Sequence, residues 1–218
     1  MKFKSFFFIA LFIANHSQAQ ILKIQTGASF SNLDWTLNTM GIKDLYHKMF
    51  VGHSLFLGLD YLEHKRYNLS SNVGLLQKGG ADEFPEVNSN GDLTGNMVQD
   101  RASLNYISFN TCIDYNLSKS EALQNYISIG PRIDYLYSYS KHFNGIADIN
   151  ALKNISAGLI IGTGTKLNLN KFQVGLRADY YLNANKVADW PASPYNAGGQ
   201  IKSNTFTLNL TFGYKLKS

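Results

Sequence analysis

Asn204-Thr-Phe-Thr-Leu-Asn-Leu-Thr-Phe-Gly-Tyr-Lys-Leu216 alternates without a break. Phe206, Leu208, Leu210, Phe212, Tyr214 and Leu216 share one face of an extended chain. Thr205, Thr207, Asn209, Thr211, Gly213 and Lys215 share the other, because successive side chains of a strand point to opposite faces. A strand this long and apolar invites edge-to-edge association if an edge stays open. Pairing it back to the first strand removes the edge, so this stretch predicts a closed barrel.

Working back from the closing strand, seven more segments carry the same period. They are Ile21–Leu33, Phe50–Leu62, Tyr67–Gln77, Ala102–Leu117, Gln124–Tyr139, Asn154–Leu169 and Phe172–Asn183. Between them lie Asp34–Met49, a short charged turn at Glu63–Arg66, and a long polar segment at Lys78–Arg101 punctuated by Gly79-Gly80, Pro85 and Asn88–Asp92. Then come a short turn at Ser118–Leu123, a medium connection at Ser140–Lys153, a tight turn at Asn170-Lys171 and a long loop at Ala184–Ser203. Long connections alternating with short ones, and an even strand number, are the pattern of outer-membrane barrels. The expected fold is therefore all-β: an eight-stranded antiparallel up-and-down transmembrane β-barrel.

The face of each later strand opposite the apolar one carries Asp114, Arg132, Asp134, Lys166, Arg177, Asp179 and Lys215, joined by Asp60 from the second strand. A soluble barrel, apolar inside and polar outside, has the same periodicity. Three features favour the inverted, membrane-facing arrangement. The polar face is rich in Gly, Ser, Asn and Thr, which suits a narrow lumen. Its charges are near-equal in sign, as a self-neutralising interior requires. The apolar face ends in Tyr on many strands, as aromatic girdles do. Pro131 has no N–H to donate, so a bulge or ladder break is expected there.

The start of the chain fits export. Lys2 and Lys4, the apolar run Phe6–Ala14 and the small-x-small Ser17-Gln18-Ala19 read as a cleaved signal peptide, residues 1–19, leaving 20–218 as one barrel domain. The run is too short to span a bilayer as a helix, and no later stretch reaches eighteen apolar residues. Processing would take the formal charge of +5 to about +3, too small and scattered for nucleic acid. Charged residues are only 16 %, against roughly 25 % in average soluble domains. A single Cys112 excludes an internal disulfide, and burial is expected for it.

The signal peptide ending in Gln-Ala-Gln, the alternating strands, Tyr126-Ile-Ser-Ile-Gly-Pro-Arg132 and the final Phe-Gly-Tyr-Lys-Leu216 resemble the PorT-like outer-membrane β-barrel family of Bacteroidota-type envelopes. The resemblance covers the whole mature chain. It implies a barrel in the cell outer membrane; the family's namesake assists protein secretion, a role that attaches to no residue motif in this sequence, and the residues themselves lead to an expectation of no enzymatic activity and no cofactor. Partners expected on this reading are outer-membrane lipid, the barrel-assembly machinery and an envelope protein complex. Lys217-Ser218 departs from the aromatic ending usual in such barrels.

Two other functions compete with a non-enzymatic barrel presenting its loops to the exterior or to such a complex. One is a lipid-modifying enzyme of the lipid A deacylase or acyltransferase type; the other is a soluble periplasmic lipid-binding barrel. Adjacent His53 and Ser54 must point to opposite faces and cannot pair. Ser140 and His142, with Asp148 beyond, could form a nucleophile–base pair, although polar loop residues are the simpler reading. Glu86-x-Asn88-x-Asn90-Gly91-Asp92 half resembles a calcium loop, but Met97 stands where a bidentate acid belongs. No His-Glu-x-x-His or paired Cys supports a catalytic metal.

The remaining constellation is the lumen charge network of Asp60, Asp114, Arg132, Asp134, Lys166, Arg177, Asp179 and Lys215. Each arginine should find a carboxylate, more readily across the ladder than two residues along its own strand, and Lys166 could bridge Asp134 and Asp179. Eight strands leave just enough space for side chains, which favours charges that fill the interior over a conduit.

Overall fold

The computed structural model describes residues 21–37, 45–63, 66–118, 120, 122–148, 150–192 and 198–216. The signal peptide read over 1–19 and the Lys217-Ser218 ending lie outside them. The strands are β1 (Ile21–Leu37), β2 (Phe50–Glu63), β3 (Tyr67–Val87), β4 (Leu93–Asn116), β5 (Leu123–Tyr139), β6 (Ile155–Leu169), β7 (Phe172–Asn183), β8 (Ala188–Trp190) and β9 (Gly199–Lys215). A 3-10 turn (Lys141–Phe143) and α1 (Asn144–Asp148) lie between β5 and β6. All pairings are antiparallel. Each strand of the ring pairs with the next, and β9 returns to β1 from Ile21↔Lys215 to Leu37↔Gly199. β8 is a short addition on the upper part of β9. The barrel is therefore eight-stranded and up-and-down, as the alternation predicts, with Ile21 and Lys215 together at the lower end.

The facing is inverted relative to a soluble barrel. On β5, Ile127, Ile129, Ile133, Tyr135 and Tyr137 are exposed, while Ser128, Arg132 and Asp134 between them are buried. The same exposed apolar belt continues through Leu159, Leu176 and Leu210 to Leu22 and Ile24 of β1. From Ile127 to Tyr137 the strand climbs about 33 Å, which at the usual tilt is about 25 Å along the barrel axis. A belt of that height matches the hydrocarbon core of a bilayer. A soluble barrel needs the opposite facing, so that alternative is rejected.

Three expectations need correction. First, Lys78–Arg101 is not a loop. β3 and β4 run on to Val87 and from Leu93, paired from Lys78↔Leu104 to Pro85↔Met97. Gly79 and Gly80 are not turn residues; a Cβ on Gly80 would sit 2.0 Å from the Tyr46 carbonyl oxygen, and one on Gly79 2.5 Å from that of Ala102. They let neighbouring backbone approach a strand. Pro85 lies beyond the reach of β2, whose ladder to β3 ends at Ser54↔Leu76, so its missing N–H removes no ring pairing. Second, β1 and β9 are longer than read, ending at Leu37 and starting at Gly199.

Third, the interior is not polar throughout. Towards the upper end, inward positions of β1, β4, β5 and β9 carry Leu33, Trp35, Leu104, Tyr106, Leu136 and Ile201. Phe143, Ile146, Leu152 and Trp190 close over them. An apolar core therefore plugs the upper mouth, above the polar lumen. Pro131 behaves as expected. The β4–β5 ladder skips from Asn110↔Arg132 to Ile113↔Ile129 in unchanged register, while Pro131 still sits opposite Leu159 of β6.

Candidate functional site

Below the apolar plug, the inward charges form two groups. The lower one is a chain. Lys23 Nζ lies 2.6 Å from Asp60, and Asp60 is 3.8 Å from Lys166. Lys166 is 3.2 Å from Asp114, and Asp114 is 3.5 Å from Arg177. Arg177 Nε donates to both oxygens of Asp179 at 2.9 and 2.8 Å, and Nη2 donates to Ser128 Oγ at 2.9 Å. Cations and carboxylates alternate and balance. The upper group does not balance. Lys78 lies 2.7 Å from Asp134, and Arg132 pairs with the same carboxylate, which also accepts from Ser108 Oγ at 2.7 Å. Two cations thus share one carboxylate, and aromatic faces supply the remainder. Lys78 lies over the Tyr106 ring at 4.9 Å and Arg132 over Tyr181 at 5.0 Å. Every one of these side chains is buried, so they occupy the lumen at their level.

Each arginine has the carboxylate it needs, but not where the ladder argument put it. Across the ladder, Arg132 faces Asn110 and Gly158, and Arg177 faces Gly164 and Asn209. None is acidic. The two positions Arg-x-Asp lie about 6.6 Å apart on one face, a span the long arginine covers by lying along its own strand. Lys166 joins Asp60 and Asp114, not Asp134 and Asp179. Lys215 stays apart: it is half-buried at the lower rim and makes no ion pair with a described residue. Lys23 and Lys78 are members that sequence reasoning missed. Lys23 shares the inward parity of Ile21 and Gln25, and Lys78 that of Leu76, so the alternation itself could have found them.

Glycine makes the room. A Cβ on Gly162 would stand 2.1 Å from Asp179 Oδ1, and one on Gly164 2.4 Å from the Tyr126 hydroxyl. Cys112 is fully buried, as expected, with Arg177 Nη2 3.5 Å from its sulfur.

The upper rim holds a second constellation. Ser140 Oγ lies 3.1 Å from His142 Nδ1, and His142 Nε2 lies 2.9 Å from Asp100 Oδ2. Tyr46 donates to the same Asp100 oxygen at 2.9 Å and meets the His142 ring edge-on at 5.6 Å. The acid is Asp100 of β4, which sequence distance concealed; the Asp148 side chain lies outside what is described. Partial burial pushes the Asp100 carboxyl up. Hydrogen bonds from Tyr46 and the Arg101 N–H, and the neighbouring imidazole, outweigh this and hold it below the usual carboxylate range. The Tyr46 hydroxyl is raised, by burial first and then by Asp100. The Ser140 hydroxyl also accepts from the Ser103 N–H at 3.1 Å.

His53 is exposed on the outer face and Ser54 is buried, bonded to Asn209 at 2.5 Å, so they do not pair. The half-calcium loop is a hairpin turn. Asn88 Oδ1 accepts from the N–H groups of Asn90 and Asp92, both at 2.9 Å, and Glu86 accepts from Thr94 and Asn96 at 2.8 and 3.0 Å. These acceptors are occupied by the chain itself, and among the described residues no three His, Cys, Asp or Glu side chains gather as a metal set.

No protein-family model and no curated protein matches the sequence. Solved structures do. The outer-membrane protein OprG of Pseudomonas aeruginosa aligns over 93 % of this chain and 98 % of its own at 14 % identity, with a TM-score of 0.53. The outer-membrane protein AlkL, determined in lipid bilayers, aligns over 93 % and 92 % at 13 % identity, with a TM-score of 0.51. The fold is that of outer-membrane β-barrels.

Proposed function

We propose that this chain is a non-enzymatic outer-membrane barrel that holds out the β3–β4 hairpin to a partner in the envelope. The observation that carries this is the hairpin itself. Among the described residues, no strand but β4 pairs with β3 beyond Leu76, and none but β3 pairs with β4 before Leu104. Above the Lys48↔Ala81 bridge neither hairpin edge has a backbone pairing with another described strand. Phe84 and Val98 are cross-strand neighbours and exposed, as are Val87 and Leu93. The arm is acidic: it carries Asp82, Glu83, Glu86, Asp92 and Asp100 against Arg101. An open edge with an apolar face accepts an added strand, and the acidic flank favours a basic one.

The balanced lumen charges serve on this reading as interior filling, a structural network rather than a conduit. The exposed belt supports the bilayer as the first partner, reached through the barrel-assembly machinery. The PorT-like family reading and a place beside a secretion-related complex rest on the motif likeness. The test replaces Glu83–Gln99 by an Asn-Gly turn, which keeps Asp82 opposite Asp100, and crosslinks intact cells, followed by mass spectrometry of what is joined to the barrel. The variant should still fold and should lose specific crosslinked proteins. An unchanged set of crosslinks would defeat the proposal.

A second reading is favoured by the rim geometry alone. Ser140, His142 and Asp100 lie in the order of a nucleophile, base and orienting acid. A lipid-modifying hydrolase built on them would label at Ser140 with a fluorophosphonate. Labelling that Ser140→Ala abolishes would make this the leading reading.

A further inference from the structure

The barrel wall has a gap near its upper end. β7 pairs with β9 up to Tyr181↔Thr205, and β8 takes over only at Ala188↔Ile201. Lys202, Ser203 and Asn204 therefore pair with β1 on one side and with no described strand on the other. Unpaired backbone at membrane depth must be satisfied by something. Here Asn183, the last residue of β7, donates through Nδ2 to the Ser203 carbonyl oxygen at 2.5 Å. Its Oδ1 accepts from Arg132 Nη2. The patch leaves a polar notch of about 300 Å³ lined by Asn183, Asn185, Lys186, Lys202 and Asn204, among others.

The notch is cationic. Lys186 pairs with Asp189 at 2.9 Å, but Lys202 makes no ion pair with a described residue. Its cross-strand neighbour Asp34 is bonded to His47 at 2.8 Å. Behind Asn183 lies the upper charge group, in which Lys78 and Arg132 share the single carboxylate of Asp134, and Arg132 Nε, fully buried, has no hydrogen-bond partner among the described residues.

Directly adjoining the notch, and sharing Tyr180 and Asn204 with it, is a groove of about 620 Å³ on the outer face. Phe30, Met49, Phe206 and Leu208 make it almost wholly apolar. Along β9 the outward side chains change from Leu208 and Phe206 to Asn204 and Lys202. The junction of groove and notch thus falls where the exposed belt gives way to polar residues, the level of lipid headgroups.

We propose that notch and groove together bind one membrane lipid with an anionic phosphate head. The head sits against Lys202 and Lys186, and an acyl chain lies along Phe30, Phe206 and Leu208. The site rests on the barrel being embedded in a bilayer. A free phosphate has no use for the groove, and a zwitterionic lipid gains little from the excess positive charge.

The experiment refolds the mature chain into phosphatidylcholine vesicles containing a minority of phosphatidylglycerol, then extracts it in mild detergent and counts retained lipids by native mass spectrometry. One phosphatidylglycerol should stay bound in preference to phosphatidylcholine. Lys202→Gln and Lys186→Gln should each weaken retention roughly fivefold, whereas Lys171→Gln at the opposite rim should leave it unchanged. Both notch lysines are on the surface, and a heat-dependent gel shift checks that each variant has folded. Equal retention of the two lipids, or retention indifferent to both notch substitutions, overturns the site. Displacement of phosphatidylglycerol by an equal concentration of inorganic phosphate would reduce it to an anion site and overturn the lipid. A chain that never enters the vesicles rejects the membrane reading itself, an outcome distinct from all of these.

Discussion

Arg177 is the best-connected of the lumen charges, touching Asp179, Asp114 and Ser128. Removing one member of a buried ion pair leaves its partner desolvated and alone, at a typical cost of roughly 3–5 kcal/mol. Arg177→Ala should therefore destabilise the barrel by that order, read as a shifted urea midpoint for refolding into vesicles. Adding Asp179→Ala should recover part of the loss, because the stranded carboxylate goes too. An additive double mutant would mean the two do not act as a pair. Lys215→Ala, outside the network, should change stability by no more than about 0.5 kcal/mol. At the rim, Asp100 gives a pH test. Its folded-state carboxyl is held low, so the stabilisation it supplies is complete above the ordinary aspartate value of about 3.9 and is lost as pH falls through the folded value. Amide exchange in the Lys141–Phe143 turn should quicken in that acid range, and in Asp100→Asn it should be fast already at neutral pH.

Among the elements, β3 and β4 expose the difference between what alternation reveals and what it hides. The ring strands were legible because each has one face towards lipid, and period two is then enforced along the whole span. Above the belt the hairpin has solvent on its outer side, the pattern relaxes, and Gly79-Gly80 with Pro85 imitates a turn. The apolar plug was hidden for a related reason: at the start of β4 the apolar parity inverts, with Leu104 and Tyr106 inward and Ser103 and Asn105 outward, and Leu136 sits inward between the outward Tyr135 and Tyr137. Ser140 and His142 were legible as a pair, but their acid was hidden by sequence distance, since Asp100 reaches them only through the β4–β5 pairing. Lys78 was lost because the strand was ended one residue too soon. A protease acting on the folded barrel should cut first at Asn88–Asp92, which is exposed and outside any ring pairing. The remaining barrel should keep its heat-dependent gel shift. Cutting first within the Asn170-Lys171 turn, which links Leu169↔Phe172 directly, would contradict this.

For the whole molecule, the inverted facing makes a quantitative demand. Leu176 and Leu210 are cross-strand neighbours in the middle of the belt, each close to half exposed. Lysine at either should cost roughly 2–4 kcal/mol in a bilayer if it sits near the midplane. The same change at Val98, exposed on the hairpin, should be close to neutral. Equal sensitivity at the two places would remove the membrane from the picture. The ring also joins two strands far apart in sequence: β1 finds one of its two neighbours only in β9. The contact of greatest sequence separation is thus the one that completes the sheet, and such contacts form slowly because the intervening chain must first be ordered. Until β1 and β9 meet, each keeps an unpaired edge on a long apolar strand. An assembly interrupted before that pairing would offer both edges to other copies, so wrong pairing should compete with closure.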